Sequence, residues 1–250
     1  MRSATRTALL SDIHGNLVAL DAVLADVERR DVDLTVCLGD VAASGPQPRE
    51  VIEVLRRLRW PCVMGNTDES LVKNLPEKFS ESMPDEERRT LERLDEWTRE
   101  QLSGSERGYL STFKPTISLR RRRCHSLLCY HGSPRSNLEG IFVGESDDDL
   151  ARHFAGYKGD VFAGGHTHVQ MLRRFGGSLI INPGSVGLPF EKVRSGGIVN
   201  PAHAEYAIVS SADGSLDVEL LTVPYPLSAL RKAVWDSGMP APDSWLSDWR

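Results

Sequence analysis

Seven side chains able to ligate a metal ion stand in five short blocks of this chain. Asp12 and His14 lie in SDIHGN (11–16), Asp40 in GD (39–40), Asn66 in GN (65–66), His131 in HG (131–132), and His166 and His168 in GHTH (165–168). Carboxylate, amide and imidazole donors together suit Mn, Fe, Zn or Co better than Ca or Mg, which favour all-oxygen shells. The spacing of Asp12-x-His14 and His166-x-His168 adds a geometric expectation. In an extended chain, residues two apart point to the same side, so both members of each pair could face one cluster. Charge counting favours two ions, because Asp12 and Asp40 are the only carboxylates in the set. Two divalent ions would leave an excess of about two positive charges, enough to attract a phosphate and to bring a bound water toward a pKa of ~7. Two metals at about 3.5–4 Å could hold phosphoryl oxygens and supply hydroxide for in-line attack, without a Ser or Cys nucleophile. Taken singly, each residue has a plainer reading. Asp12 could cap a helix, Asp40 could sit in a turn, Asn66 could favour a left-handed bend beside Gly65, and the GHTH pair could be exposed imidazoles.

These blocks need rigid elements behind them. TRTALLSD reads as a buried strand ending in Asp12, and GNLVALDAVLADVERR as an amphipathic helix with Leu17, Leu20, Val23, Leu24 and Val27 at helical spacing. DLTVCLGD is a second strand, PREVIEVLRRLR a second helix and PCVMGN a third strand. Such alternation implies a parallel core sheet covered by helices. From about residue 68 to 113 the chain turns polar and helix-favouring, which predicts a helical insertion. The second half is richer in strands: TISLR, HSLLCYHG, DVFAGGH, VQMLRRF, SLIINPG, AEYAIVS and SLDVELLTV. FGGS and SADGS read as tight hairpin turns, and DDDLARHFAGY as a helix. A helix and a Trp-bearing tail follow over about 226–250. No internal repeat or low-complexity linker interrupts residues 1–250, so a single domain with an inserted helical lobe is expected. All five blocks stand at predicted strand ends, where an α/β protein assembles its site.

Composition sets the outer bounds. The 250 residues are 40% hydrophobic and 26% charged with a formal net charge of −5, so a real core is expected and wholesale disorder is excluded. No apolar run approaches the ~18–20 residues of a membrane span, and the first residues lack the apolar stretch of roughly 7–15 that a secretory signal needs. A cytoplasmic protein is expected. The acidic balance disfavours stable nucleic-acid binding through bulk electrostatics. It leaves room for a small phosphorylated substrate, since bound metal reverses the local sign. Cys37, Cys62, Cys124 and Cys129 lack metal-type spacing and sit in apolar runs, so reduced core cysteines are expected.

The ordered set SDIHGN…LGD…GNTD…HGSP…GHTH…NPGSVG resembles the calcineurin-like metallophosphoesterases, and its later blocks resemble most their small bacterial and archaeal members. The resemblance runs from about residue 6 to 221. It implies an α/β fold, a four-layer α-β-β-α sandwich of two mixed β-sheets flanked by helices. It implies further that Asp12, His14 and His168 hold one divalent ion, that Asn66, His131 and His166 hold a second, and that Asp40 bridges both, with Mn or Fe favoured. Asp40 and Asn66 would then act on the phosphate itself, through a metal-bridging hydroxide and stabilisation of developing charge.

One position departs from the family pattern. The histidine that often follows the GN block, donating to phosphate or protonating the leaving group, is Thr67 here. A hydroxyl can donate a hydrogen bond but is too weak an acid for general acid catalysis, a loss of ~10²–10⁴ on poor leaving groups. The expectation is a slow enzyme or one suited to acidic leaving groups. Thr67 and Asp68 could equally cap a helix. Asn16, opening the first helix, and Arg135, after HGSP, are candidate substrate contacts, each against a plain turn or solvated-loop reading. NPGSVG is expected to support the cluster, with direct substrate contact by Asn182 or Ser185 a lesser reading. Arg120–Arg123 reads as a solvated hairpin turn, and His125, His153 and His203 as surface or packing residues. His203 could serve as a proton donor if its loop folded over the site. The insertion and the Trp245/Trp249 tail could cap the site or form an oligomer contact.

The reading is therefore a dinuclear metal-dependent phosphoesterase, with a phosphodiester or nucleotide-like substrate favoured. Two alternatives remain: a metal-bound scaffold with little catalysis, and a phosphoprotein phosphatase.

Overall fold

A computed structural model describes residues 4–77, 83–120, 124–194, 197–212 and 214–250. The first half runs β1 (Thr5–Leu10), α1 (Leu17–Glu28), β2 (Leu34–Cys37), α2 (Pro48–Leu58), α3 (Asn66–Lys73), α4 (Asp85–Gln101) and α5 (Gly104–Leu110). The second runs β3 (Ile117–Leu119), β4 (Leu127–Cys129), α6 (Asp147–Phe154), β5 (Val161–Ala163), β6 (Met171–Phe175) and β7 (Ser178–Asn182). It continues through β8 (Glu191–Lys192), β9 (Ile198–Val199), β10 (His203–Ala212), β11 (Ser215–Pro224), α7 (Leu227–Ser237) and α8 (Pro242–Leu246).

Two mixed sheets form the centre, one in the order β11-β10-β1-β2 and the other β3-β4-β5-β7-β6. Period-two alternation assigns the residues to layers. Leu9, Val36, Ala207 and Val209 of the first sheet meet Leu127, Cys129, Val161, Ala163 and Ile181 of the second in the inter-sheet core. Their neighbours Ala8, Leu10, Cys37, Tyr206 and Ile208 face the other way, into a cluster shared with α1, α2, α3 and α7. Leu128, Phe162 and Ile180 likewise turn outward to Leu150 and Phe154 of α6. The result is the α-β-β-α layering expected, each fully buried aliphatic side chain contributing roughly 1.5–3 kcal/mol of burial energy.

Topology explains where the site lies. β1 runs parallel to β2, and β4, β5 and β7 run parallel to one another. The loops after β1, β2, β4 and β5 carry Asp12, Asp40, His131 and His166. Parallel strands end on a common edge, which is why blocks scattered over more than 150 residues converge.

Some sequence expectations are corrected. PCVMGN is no full strand: it holds only single parallel bridges, Cys37 to Cys62 and Val63 to Lys114. Pro61 has no N–H for a ladder, and the chain passes into α3 at Asn66. The short β8–β9 pair had no readable period. FGGS does form the β6–β7 hairpin, with Gly176 and Gly177 at φ 57° and 87°. In SADGS and in the arginine run, Asp213 and residues 121–123 lie outside the described residues. The four cysteines are free, three of them buried. Among the described residues no helix is long and apolar enough to cross a membrane.

Candidate metal centre

The loops that carry the ligands are bonded to one another before any side chain is considered. Backbone N–H groups of Asp12, His14 and Gly15 donate to the carbonyls of Gly39, Asp40 and Val41 at 2.9, 3.0 and 2.9 Å. Gly165 N–H donates to His131 O at 2.8 Å, and Val186 and Gly187 donate to Ser11 O and Asp12 O at 3.0 and 2.9 Å. The NPGSVG loop thus braces the first ligand loop. Asn182 adds a bond from Nδ2 to Gly165 O at 2.7 Å, and Ser185 Oγ donates to Asp12 O at 2.8 Å. Both side chains are buried and used internally, not as substrate contacts.

The extended alternation expected for the two x-spaced pairs is not what the backbone does. Asp12, His14, Asp40, His166 and His168 all adopt left-handed conformations, with φ between 46° and 68°. This region is uncommon for residues with a Cβ and costs of order 1 kcal/mol each. Loop-to-loop hydrogen bonds hold the strain, and each of these five residues is aimed by a local turn.

Each carboxylate divides its two oxygens between anchoring and display. Asp12 Oδ2 accepts from His166 N–H and Asp40 Oδ1 from Thr67 N–H, both at 3.0 Å. The other oxygens face imidazoles: Asp12 Oδ1 lies 3.3 Å from His168 Nε2, and Asp40 Oδ2 lies 3.3 Å from His131 Nε2. The two halves are in contact, since His14 Nε2 stands 3.8 Å from Asp12 Oδ1 and 3.9 Å from Asp40 Oδ2. Asn66 Oδ1 sits 3.1 Å from His131 Nε2 and 2.9 Å from His166 Nδ1. All seven expected ligands are therefore brought together, as one group of Asp12, His14 and His168 and another of Asp40, His131 and His166, with Asn66 against the second.

Second partners set the imidazole tautomers. His14, His131 and His168 place Nδ1 at 3.0, 2.8 and 2.8 Å from the carbonyls of Ala43, Leu38 and Leu188. A carbonyl only accepts, so Nδ1 carries the proton and Nε2 faces inward. His14 Nε2 and His168 Nε2 then approach to 3.0 Å, and Asp12 Oδ1 is buried without a hydrogen-bond partner. Inward lone pairs and an orphaned carboxylate oxygen are a donor set for cations, so these residues fit a pair of divalent ions. The charges are strongly coupled. Burial alone would raise Asp40, yet His131 holds it down at about 2. Burial would lower His131, yet Asp40 lifts it to about 10, so its Nε2 holds a proton that a cation must displace before the lone pair is free.

Asp68 is the residue whose role spacing did not reveal. Fully buried, it accepts from Asp40 N–H (2.8 Å), Val41 N–H (3.0 Å) and Gly65 N–H (3.2 Å). It caps α3, as read from the sequence, and also fixes the loop that presents Asp40. Burial, then the Asp40 charge, raises its carboxyl to about 6. A Cβ on Gly65 would collide with the Asp40 carboxylate, which explains glycine in the GN block.

The remaining candidates divide. Thr67 lines the cavity over the cluster, only 4% exposed, with its Oγ1 unpartnered. Asn16 is corrected from substrate contact to helix cap: buried, it accepts from Ala19 N–H at 3.0 Å and donates to Gly187 O at 3.0 Å. Arg135 is also corrected, because its guanidinium pairs with Glu139 at 2.8 Å and stays outside the cavity. His153 is held between Glu139 and Glu145, His125 contacts Ser211, and His203 lies 3.7 Å from Glu205. None of the three lines the cavity.

That cavity, about 680 Å³, rises from His14, Asp40, Asn66 and His168 to α4 on one side and the C-terminal tail on the other. Trp245 stacks on Trp249 at 5.1 Å and donates from Nε1 to Ser44 O at 2.9 Å, which pins the tail beside the loop that presents Asp40. Insertion and tail both wall the site, which the sequence left open.

Comparison with known proteins agrees with this geometry. Residues 6–203 match the model of the calcineurin-like phosphoesterase superfamily domain. An uncharacterised protein of Methanocaldococcus jannaschii is 25% identical over 96% of this chain and 95% of its own length. The crystal structure of a metallophosphoesterase from Sphaerobacter thermophilus superposes with a TM-score of 0.75 at 29% identity, covering 98% of each chain. A hypothetical protein from Pyrococcus horikoshii OT3 shares the fold with a TM-score of 0.76 at 20% identity over 95% of each chain. With its ligand loops meeting at one edge of a two-sheet sandwich, this chain belongs to the calcineurin-like phosphoesterase superfamily.

Proposed function

We infer that the protein is a dinuclear metal-dependent phosphoesterase acting on a phosphodiester or nucleotide-like substrate. The observation that carries the reading is the paired ligand geometry, in which both carboxylates and the imidazoles of His14, His131 and His168 have one atom anchored and another facing the same small space. Two divalent ions bound there, of a kind that takes oxygen and imidazole donors such as Mn, Fe, Zn or Co, would supply Lewis acidity, activating water and neutralising phosphoryl charge. Asp12, His14 and His168 would hold one ion and Asn66, His131 and His166 the other, with Asp40 between them. The chain's own groups orient the ester. Asn66 can direct its amide N–H toward a phosphoryl oxygen, and the unpartnered Thr67 hydroxyl can donate a second bond from the α3 start. Thr67 cannot protonate a leaving group, so turnover should favour leaving groups that depart as stable anions. α4 and the C-terminal tail wall the cavity on two sides.

The test is to add Mn²⁺ to metal-stripped protein and assay p-nitrophenyl phosphate beside bis(p-nitrophenyl) phosphate, with Asp40→Asn as control. Metal-dependent turnover that prefers the diester and is lost in Asp40→Asn is expected. No turnover of either ester would favour a scaffold, and full activity in Asp40→Asn would make the assigned site wrong.

A further inference from the structure

The lining of the cavity above the metal ligands has an unusual charge pattern for a site that must attract an anion. Among the described residues it contains neither lysine nor arginine. Its rim instead carries Glu86, Glu87 and Asp248, all exposed, with Glu77 deeper. Burial, then the charges of Asp40 and Asp95, pushes the Glu77 carboxyl up to about 8. Between rim and ligands the wall is apolar, formed by Leu91 and Leu94 of α4, Leu188, Trp245 and Trp249. At the base, Thr67 lines this same space, and its buried hydroxyl has no protein partner.

These features impose opposite demands on the two ends of a substrate. The reacting phosphate goes to the base, where bound cations would outweigh two ligand carboxylates. The group on the other side of the ester passes the apolar wall and ends beside carboxylates. A second phosphate placed there would meet like charge, with no lysine or arginine among the described lining residues to offset it. A neutral aromatic or aliphatic group fits the wall, and a cationic head is drawn to the rim.

We propose that the cavity selects phosphodiesters whose remote group is apolar and either uncharged or cationic, and that it discriminates against any substrate bearing a second phosphate. This rests on the phosphoesterase reading and adds the charge class of the substrate. Nucleoside mono-derivatives fit it; nucleoside polyphosphates and phosphorylated nucleic-acid ends do not.

The experiment uses the Mn²⁺-loaded protein and p-nitrophenyl diesters that share one leaving group. The first pair is thymidine 5′-(p-nitrophenyl phosphate) and the same ester with a 3′-phosphate. The second is p-nitrophenyl phosphorylcholine and its uncharged 3,3-dimethylbutyl isostere. At low ionic strength the 3′-phosphate should lower kcat/KM by about tenfold or more, and choline should raise it about threefold over the isostere, both differences shrinking with added salt. Glu86→Gln/Glu87→Gln should reduce the discrimination within each pair. Asp85→Asn, in the same helical turn but paired with Arg88 and outside the cavity, should leave it unchanged. Equal or faster turnover of the 3′-phosphorylated ester, or discrimination that survives the double substitution, would overturn the proposal. Absence of metal-dependent turnover on all four esters would instead remove the phosphoesterase reading on which it stands.

Discussion

Asp68→Ala isolates the contribution of one buried carboxylate to the presentation of Asp40. The side chain is fully buried and accepts three backbone N–H groups, at 2.8, 3.0 and 3.2 Å. Alanine would leave all three donors without partners in a tightly packed loop. Each unsatisfied buried donor costs about 1–3 kcal/mol, which suggests a loss of about 3 kcal/mol or more. Two effects reduce the total. Removing Asp68 relieves its burial cost and its repulsion with Asp40, which in that order raise its carboxyl to about 6, and some donors can recruit water. A net loss of about 2–4 kcal/mol follows, or roughly 4–16 °C in Tm for a chain of this size. Asp68→Asn keeps one oxygen able to serve Asp40 and Gly65 and should cost about half as much. Urea unfolding followed by circular dichroism measures both. A loss below about 1 kcal/mol for alanine, or equal losses for the two variants, would refute the assignment of Asp68 as the clamp of the Asp40 loop.

Other substitutions test separate links. Thr67→Val removes a buried hydroxyl that has no protein partner, so stability should hold or rise by up to about 1 kcal/mol while diester turnover falls about tenfold; unfolding and kinetics on the same sample separate the two. Gly65→Ala should lose metal affinity and at least about 2 kcal/mol of stability, because the new methyl meets the Asp40 carboxylate; wild-type melting would contradict this. Asp26, which accepts from Tyr206 Oη and pairs with Arg30, is held below the ordinary carboxylate range despite the opposing effect of burial. Its folded pKa is depressed, so its stabilisation is present above the unfolded value of ~3.9 and is lost as pH falls through the folded one. Asp26→Asn should therefore destabilise by about 1 kcal/mol at pH 7 and by less as pH falls below 4; a difference constant from pH 7 to pH 3 would contradict the ion pairing.

That the seven candidate ligands would meet at one place was legible from the sequence, because chemistry constrained residue type and four of the five blocks follow strands. Layering was legible too, since strands such as TALL and YAIV place alternate residues on opposite faces. Local backbone was not. The Asp12–His14 and His166–His168 pairs look extended by spacing, yet left-handed turns at each ligand do the aiming, and only contacts between distant loops sustain such conformations. Asp68 looked like a cap because its second role depends on Asp40, 28 positions away. Asn16 and Arg135 looked available to substrate because a sequence does not reveal that Gly187 and Glu139 already occupy them. The cavity wall was the least legible part. Leu91, Trp245 and Leu188 share no period, and only the docking of the tail through Trp245 and Ser44 brings them to one space.

The most direct test of the central claim is metal stoichiometry under equilibrium dialysis of stripped protein against Mn²⁺, read by elemental analysis. Two ions per chain are predicted for the wild type, and a reduced count for Asp12→Ala and for His131→Ala, whose side chains lie in different halves of the cluster. One ion or none in the wild type, or two ions retained in both variants, would contradict a dinuclear centre built from these residues.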